Sequence, residues 1–510
     1  MRGVVVASGS QISADAGAAI ADRGGNAVDA ALAAALVCLV TEPGMCSLGG
    51  GGFVTIWPPA AEPVTIDGFD EMPGRGLGAE RFGRAGRAVH LEYGGGVDTT
   101  VGYGSVATPG VVAACGRASE RFGRVRWDAL LEPARGHARR GFPLSAPAHH
   151  FLAYAHQSIY GWHPSSHAAL HDEHGALLPE GAMVQVPHLA ETLETLAERG
   201  PRDFYHGELA RAIAAEMQGH DALLTLQDLR SYRAVERVPL RVGFDSWELA
   251  TNPPPALGGA VLAAMVALMG QNDEWGWTSE QVARLAEVQR AVLDYRRARL
   301  GGPDPSGEAQ DLLESARAGG RELLSSPSTL QISAAGSEGL ACSITVSCGY
   351  GSGVLMEGTG IWFNNTLGEL ELNPGGFHAL PPGARIPSNM APSVARRTDG
   401  ATLAIGSPGA GRITTAVLQV LLNYLRLGWS LQEAVNHPRL HVELLEGTTA
   451  VTYEEGLPVQ GLTMERRPFP GRSMYFGGVQ AAAWEPGSLS AAAAPRRAGA
   501  IALGGGATHT

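Results

Sequence analysis

Thr329 opens the run TLQISAAGSEGLACSIT, Thr329–Thr345, in which small and β-branched residues alternate with polar ones around an acidic-glycine turn. Alternation with period two is a strand pattern, so the run reads as two short strands with a threonine at the head of the first. A threonine hydroxyl is a weak nucleophile unless a base stands beside it. Cleavage of the peptide bond before the threonine would create that base. The new α-amine titrates near ~7.7–8.0 and can take the hydroxyl proton at neutral pH. On local pattern alone, a strand-start threonine is ordinarily structural.

Other candidate constellations carry less. The glycine run Gly49–Gly52 lacks the GK[ST] ending of a phosphate-binding loop and reads as a turn. His149–His150 and the histidines of HDEH, His171–His174, read as exposed loop residues with no third ligand at metal spacing. Gly351-Ser352-Gly353 lacks the GxSxG spacing of a nucleophile elbow. The five cysteines, Cys38, Cys46, Cys115, Cys342 and Cys348, form no CxxC pair and are odd in number, so they read as small core residues rather than disulfides or zinc ligands. No metal or organic cofactor is implied.

The elements that must position Thr329 are visible as patterns. Gly24–Val40 reads as a glycine turn and an alanine-rich helix, apolar on most of its circumference and therefore buried. Leu48–Trp57 passes from glycines into a strand, which suggests layered α/β packing. Residues from about 110 to 330 look mainly helical, with helices at His188–Gly200 and Val282–Gly301 and an exposed loop at Gly301–Gln310. Beyond residue 328 strands dominate, with one helix near Thr414–Leu427 and a frayed tail from Gly499. The chain thus divides into a helix-rich part, 1–328, and a strand-rich part, 329–510, with flexible composition before the change.

Composition bounds the function. The 510 residues are 45% hydrophobic and 17% charged, a globular balance with a net charge of −12. All the positive charge is arginine, with no basic stripe, which argues against nucleic acid and anionic membranes. The start, MRGVVVASGSQIS, has no signal-peptide pattern, and the expectation is a soluble cytoplasmic protein.

Motifs in order along about residues 3–500 resemble the gamma-glutamyltransferase family. GGNAVDAALAAALV and EPGMCSLGGGGF (Glu42–Phe53) are similar to its early large-subunit signature. NPPPALGG (Asn252–Gly259), GYGSGVLMEGTGIWFNN (Gly349–Asn365), IPSNMAPSV (Ile386–Val394) and IGSPGAGRITTAVLQVLLN (Ile405–Asn423) follow in family order. The resemblance implies one joint four-layer αββα sandwich of the N-terminal-nucleophile hydrolase type. It also implies a precursor that cuts itself before Thr329, giving two fragments that stay together as a heterodimer and act on a small-molecule substrate. Ser328 is the rival first residue, but gapless alignment places the nucleophile at Thr329. Ser347 falls where the family has a threonine that helps activate the nucleophile, and Gly409 and Ala410 fall on its two oxyanion-hole glycines. A higher homo-oligomer is compatible with all of this.

The resemblance breaks at the substrate contacts. Leu330 and Gln331 replace a threonine and a histidine after the nucleophile. In IDGFDEMPGRG (Ile66–Gly76), Asp70 falls on the arginine that binds the glutamyl α-carboxylate, and a carboxylate there would repel that group. Arg75 is the nearby cation in sequence. In NNTLGE (Asn364–Glu369), Asn365 is kept, Thr366 replaces a glutamine and Glu369 an aspartate. The paired serines become Ser388 and Asn389, and the stretch from Thr345 to Gly351 is about two residues short, losing an asparagine. The implied enzyme keeps the cutting chemistry and takes a non-glutamyl, neutral or cationic acyl donor. Two alternatives stay open: a C–C bond hydrolase of the kind found in alkylproline pathways, and an unprocessed inactive homologue.

Overall fold

The computed structural model describes residues 3–92, 96–270, 275–299, 305–318, 329–445 and 448–506. The junction before Thr329, Ser328 included, lies outside them.

Helix Ala27–Thr41 begins at a reciprocal cap: the Asn26 side chain accepts from Val28 N and Asp29 N, and the Asp29 carboxylate accepts from Asn26 N at 2.9 Å. All of its residues are buried, as the all-round apolar pattern predicts. Together with Gln11–Asp22 and Val111–Phe122 it covers a seven-stranded sheet. In spatial order that sheet is Ala500–Gly504, Val4–Ser8, Leu330–Gly336, Ala341–Ser347, Gly51–Trp57, Val64–Gly68 and Val235–Arg237, every neighbour antiparallel.

A six-stranded antiparallel sheet packs face to face with it, ordered Ser488–Ala493, Gln480–Glu485, Thr402–Gly406, Ser393–Arg397, Trp247–Thr251 and Leu240–Phe244. Helices Gly258–Gly270 and Ile413–Leu421 cover its outer face, backed by Ser279–Arg299 and Pro305–Ala318. The fold is an αββα sandwich.

Residue alternation builds the middle of the sandwich. Leu330, Ile332 and Ala334, with Cys342, Ile344 and Val346, join the core beneath the first helix layer. Their alternates, Gln331, Ser333, Ser343 and Thr345, therefore face the second sheet. There Gln331 Nε2 donates to Ile332 O at 2.8 Å, Ser333 Oγ at 3.0 Å and Ser343 Oγ at 2.9 Å, while its Oε1 accepts from Thr345 Oγ1 at 2.6 Å. The two serines pass the contact on, Ser333 to Gln480 O and Ser343 to Ile405 O, both at 3.0 Å. The glutamine that departs from the family pattern thus bolts one sheet to the other.

Several sequence expectations are corrected. The short strand pair Phe142–Pro143 and Met183–Val184, and the strands Val235–Arg237, Leu240–Phe244 and Trp247–Thr251, interrupt the stretch expected to be helical. Residues 301–304 of the expected loop lie outside the described residues, and the rest of it opens helix Pro305–Ala318, with proline at a position where its missing N–H costs nothing. The helix expected near Thr414–Leu427 spans Ile413–Leu421 with a wide turn, Leu422–Arg426, after it. The tail is not frayed at Ala500–Gly504, which pairs along Val4–Ser8; only 507–510 lie outside the described residues. His149 and His150 sit in helix Ala146–Ala155, not a loop, and His171 is buried, its Nδ1 within 3.0 Å of His167 O. The five cysteines are free and buried, as expected.

Candidate active site

Thr329 stands at the head of strand Leu330–Gly336, in the middle of the seven-stranded sheet, and is buried. Because Leu330 pairs with Val346, the next step of the register sets Thr329 across from Ser347 on the face turned to the second sheet. Both line a cavity of about 20 Å3, with Phe69, Glu369, Leu372, Ser388, Asn389 and Met390 as the other walls. The space holds roughly one water-sized group. Ser347 Oγ accepts from Gly349 N at 2.9 Å, which fixes the side chain at the strand end.

The proline-glycine motif explains the opposite wall. Leu257 N and Gly258 N donate to Ser388 O at 2.7 and 3.2 Å, and Asn252 Nδ2 donates to Met390 O at 3.1 Å. A Cβ on Gly258 would strike Asn389 O, so glycine is required for this close approach. The backbone of Ser388–Met390 is thereby clamped, while both polar atoms of the Asn389 side chain stay buried with no partner among the described residues. A buried amide left unpaired costs free energy that a bound ligand can recover.

The carboxyl groups divide. Glu369 lines the cavity, and burial, then its neighbours Glu371 and Asp70, hold its carboxyl well above the usual range. Asp70 is fully buried behind the wall. Its Oδ2 accepts from Thr366 Oγ1 at 2.6 Å, its Oδ1 has no partner, and burial pushes its pKa up to about 8. Asp70 and Thr366 therefore hold each other and do not line the cavity. Asn365 is also structural: its Oδ1 accepts from Tyr350 N at 2.8 Å and its Nδ2 donates to Thr99 Oγ1 at 3.0 Å. Of the six residues expected to bind substrate, only Glu369, Ser388 and Asn389 reach the cavity.

Among the described residues no cation lines the cavity. Arg75 turns to Glu71 and Asp228, at 3.2 and 3.4 Å, and does not fill the gap left at position 70. The guanidinium that stands behind Phe69 is Arg385, which donates to Phe69 O and Tyr232 Oη and lies 3.6 Å from Asp67 and 3.4 Å from Glu71. Phe69, Leu372 and Met390 were not singled out in the sequence, although Phe69 and Met390 directly neighbour Asp70 and Asn389.

Gly409 and Ala410 lie beyond the cavity lining, on the turn after strand Thr402–Gly406. That strand ends against Gln331, since a Cβ on Gly406 would strike its amide. Gly409 has φ +122° and Ala410 φ +65°, both left-handed, and a Cβ on Gly409 would come within 2.8 Å of Gly477 Cα. Ala410 pays about 1 kcal/mol of strain there. Neither backbone N–H donates to an acceptor among the described residues. Both N–H groups sit on the turn that leads into helix Ile413–Leu421.

A model of the gamma-glutamyltranspeptidase family matches residues 13–504. The chain belongs to this family. It is 30% identical to the glutathione hydrolase proenzyme of Pseudomonas aeruginosa, over 98% of this chain and 94% of that one. It is 31% identical to the acylase ACY 1 proenzyme of Pseudomonas sp. strain SE83, over 99% and 94%. Its fold is shared with the cephalosporin acylase of Bacillus halodurans at a TM-score of 0.81 and 23% identity, covering 98% and 96%. This member of the gamma-glutamyltranspeptidase family is an enzyme of the hydrolase and acyltransferase type. Among the described residues no cluster could hold a metal ion, and no helix is long and apolar enough to cross a membrane.

Proposed function

We propose that the protein is a self-processing amide hydrolase or acyltransferase whose nucleophile is Thr329 and whose acyl donor is not glutamyl. The observation that carries the substrate reading is that, among the described residues, no cation stands in the walls around Thr329. A glutamyl α-carboxylate would enter among Glu369, the unpaired Asn389 amide and apolar side chains with no guanidinium to receive it. An uncharged or cationic donor meets no such penalty. A positive group would draw the raised Glu369 carboxyl into its charged form. The acylase among the relatives, as similar to this chain as the glutathione hydrolase, supports the same direction.

In this reading, the precursor's Thr329 hydroxyl attacks the preceding carbonyl, transferring the acyl group from nitrogen to oxygen. That shift frees the Thr329 α-amine, and water then hydrolyses the ester, releasing residues 1–328 as a carboxylate and restoring the hydroxyl. In turnover, that amine takes the hydroxyl proton, Oγ1 attacks the donor carbonyl, and the oxyanion faces the N–H groups of Gly409 and Ala410. The proton passes to the leaving amine, and water or another amine resolves the ester.

Denaturing electrophoresis with N-terminal sequencing tests the first step. The expected result is two fragments, 1–328 and 329–510, the second beginning at threonine, and Thr329→Ala should remain a single chain without activity. Persistence of one full-length band in the parent would sink the proposal. A panel of a gamma-glutamyl anilide and non-glutamyl amides tests the donor. Preference for the glutamyl compound would overturn the pocket reading while leaving the nucleophile intact.

A further inference from the structure

A cleft of about 770 Å3 lies between helix Val111–Phe122, the segment 201–206 and the segment 232–234, and shares no lining residue with the Thr329 cavity. Its size falls within the range of small-molecule sites, roughly 300–1,000 Å3. Arg117, Arg126, Arg202 and Arg233 line it, against Glu120 as the single lining carboxylate among the described residues. In a chain of net charge −12 this is a basic island.

Two of the arginines are already answered. Arg117 meets Glu236 at 2.8 Å and Glu120 at 2.6 Å, and Arg126 meets Asp128 at 3.0 Å. Arg202 and Arg233 have no carboxylate partner among the described residues; Arg233 donates only to the carbonyls of Arg230 and Tyr232, at 2.7 and 2.6 Å. His206, on the same wall, is held below its ordinary range by burial first and then by Arg233, Arg202 and Arg230, which reports the positive field at that end. Trp127, half-buried with its indole N–H on Leu196 O at 2.9 Å, supplies a fixed apolar surface.

The cleft also touches the wall of the Thr329 cavity from behind. Tyr232 lines it, and the Tyr232 hydroxyl donates to Phe69 O at 2.7 Å. Arg385 sits over the Tyr232 ring at 4.7 Å and donates to that same carbonyl and hydroxyl. Phe69 is in turn a wall of the Thr329 cavity.

We propose that this cleft binds a small polyanion, its carboxylate or phosphate groups held by Arg202 and Arg233 and its body against Trp127, and that occupancy is relayed through Tyr232 to Phe69. The site stands whether or not Thr329 is the nucleophile. Calorimetric titration of the full chain with citrate and, separately, inorganic pyrophosphate at physiological salt tests it. At least one should bind with a Kd below about 1 mM, and the arm that binds tells carboxylate from phosphate chemistry. Arg202→Ala combined with Arg233→Ala, both exposed positions, should weaken binding about tenfold or more. Saturating anion should slow amide exchange in residues 69–72 of the parent. Tyr232→Phe should keep the anion and lose that slowing. Binding of neither anion, or equal binding by the double variant, overturns the site. Unchanged exchange at 69–72 in the saturated parent overturns the relay.

Discussion

With its carboxyl enclosed and only the Thr366 hydroxyl on one oxygen, Asp70 keeps its proton to about pH 8. An unfolded aspartate loses it near ~3.9. Between those values the unfolded chain binds fewer protons than the folded one, so Asp70 erodes stability as pH rises, by at most ~1.4 kcal/mol per pH unit. Asp70→Asn can keep the Thr366 contact through its amide oxygen and cannot ionise. Urea melts across roughly pH 4 to 8 should show the variant gaining on the parent as pH rises, with the difference level above that window. Parallel curves would refute the burial argument. The same residue shows how legible the site was. Sequence order located Thr329, Ser347, Glu369, Ser388 and Asn389, all of which line the cavity. It could not show that Asp70, Asn365 and Thr366 turn away, because side chains on one short loop diverge according to partners far along the chain, such as Thr99.

At the scale of elements, the pair of strands Leu330–Gly336 and Ala341–Ser347 matters most, because its polar face is satisfied only by the facing sheet. Gln331→Leu would leave Thr345 Oγ1 without its acceptor and take the donor from Ser333 and Ser343. The expected loss is about 2 kcal/mol or more, read as a lower urea midpoint, since each buried group left unpaired costs about 1–3 kcal/mol. An unchanged midpoint would mean that the network contributes little. Gly406→Ala, whose Cβ would strike Gln331, should destabilise through the same network. Periodicity revealed these two strands and the buried helix Ala27–Thr41. It missed the strands between Val235 and Thr251 because they are short and carry charged residues such as Glu236, Arg241 and Glu248. The loop reading failed over Pro305–Gln310 because proline marks helix starts as well as loops.

Across the whole molecule, segments from either side of Thr329 interleave. Val4–Ser8 lies between Ala500–Gly504 and Leu330–Gly336, and Trp247–Thr251 pairs with Ser393–Arg397. Fragments 1–328 and 329–510 should therefore co-elute on native gel filtration after processing and part only in denaturant, in one transition. Separation under native conditions would contradict the joint sandwich. The interleaving also sets an order in time. Val4–Ser8 leaves the ribosome before either of its neighbours, both of which are made after residue 329. Such long-range pairing is slow to form and leaves strand edges bare in the meantime. The central sheet can close only once Ala500–Gly504 has been made, so a cut before Thr329 made ahead of that strand would come too early to leave a working pair.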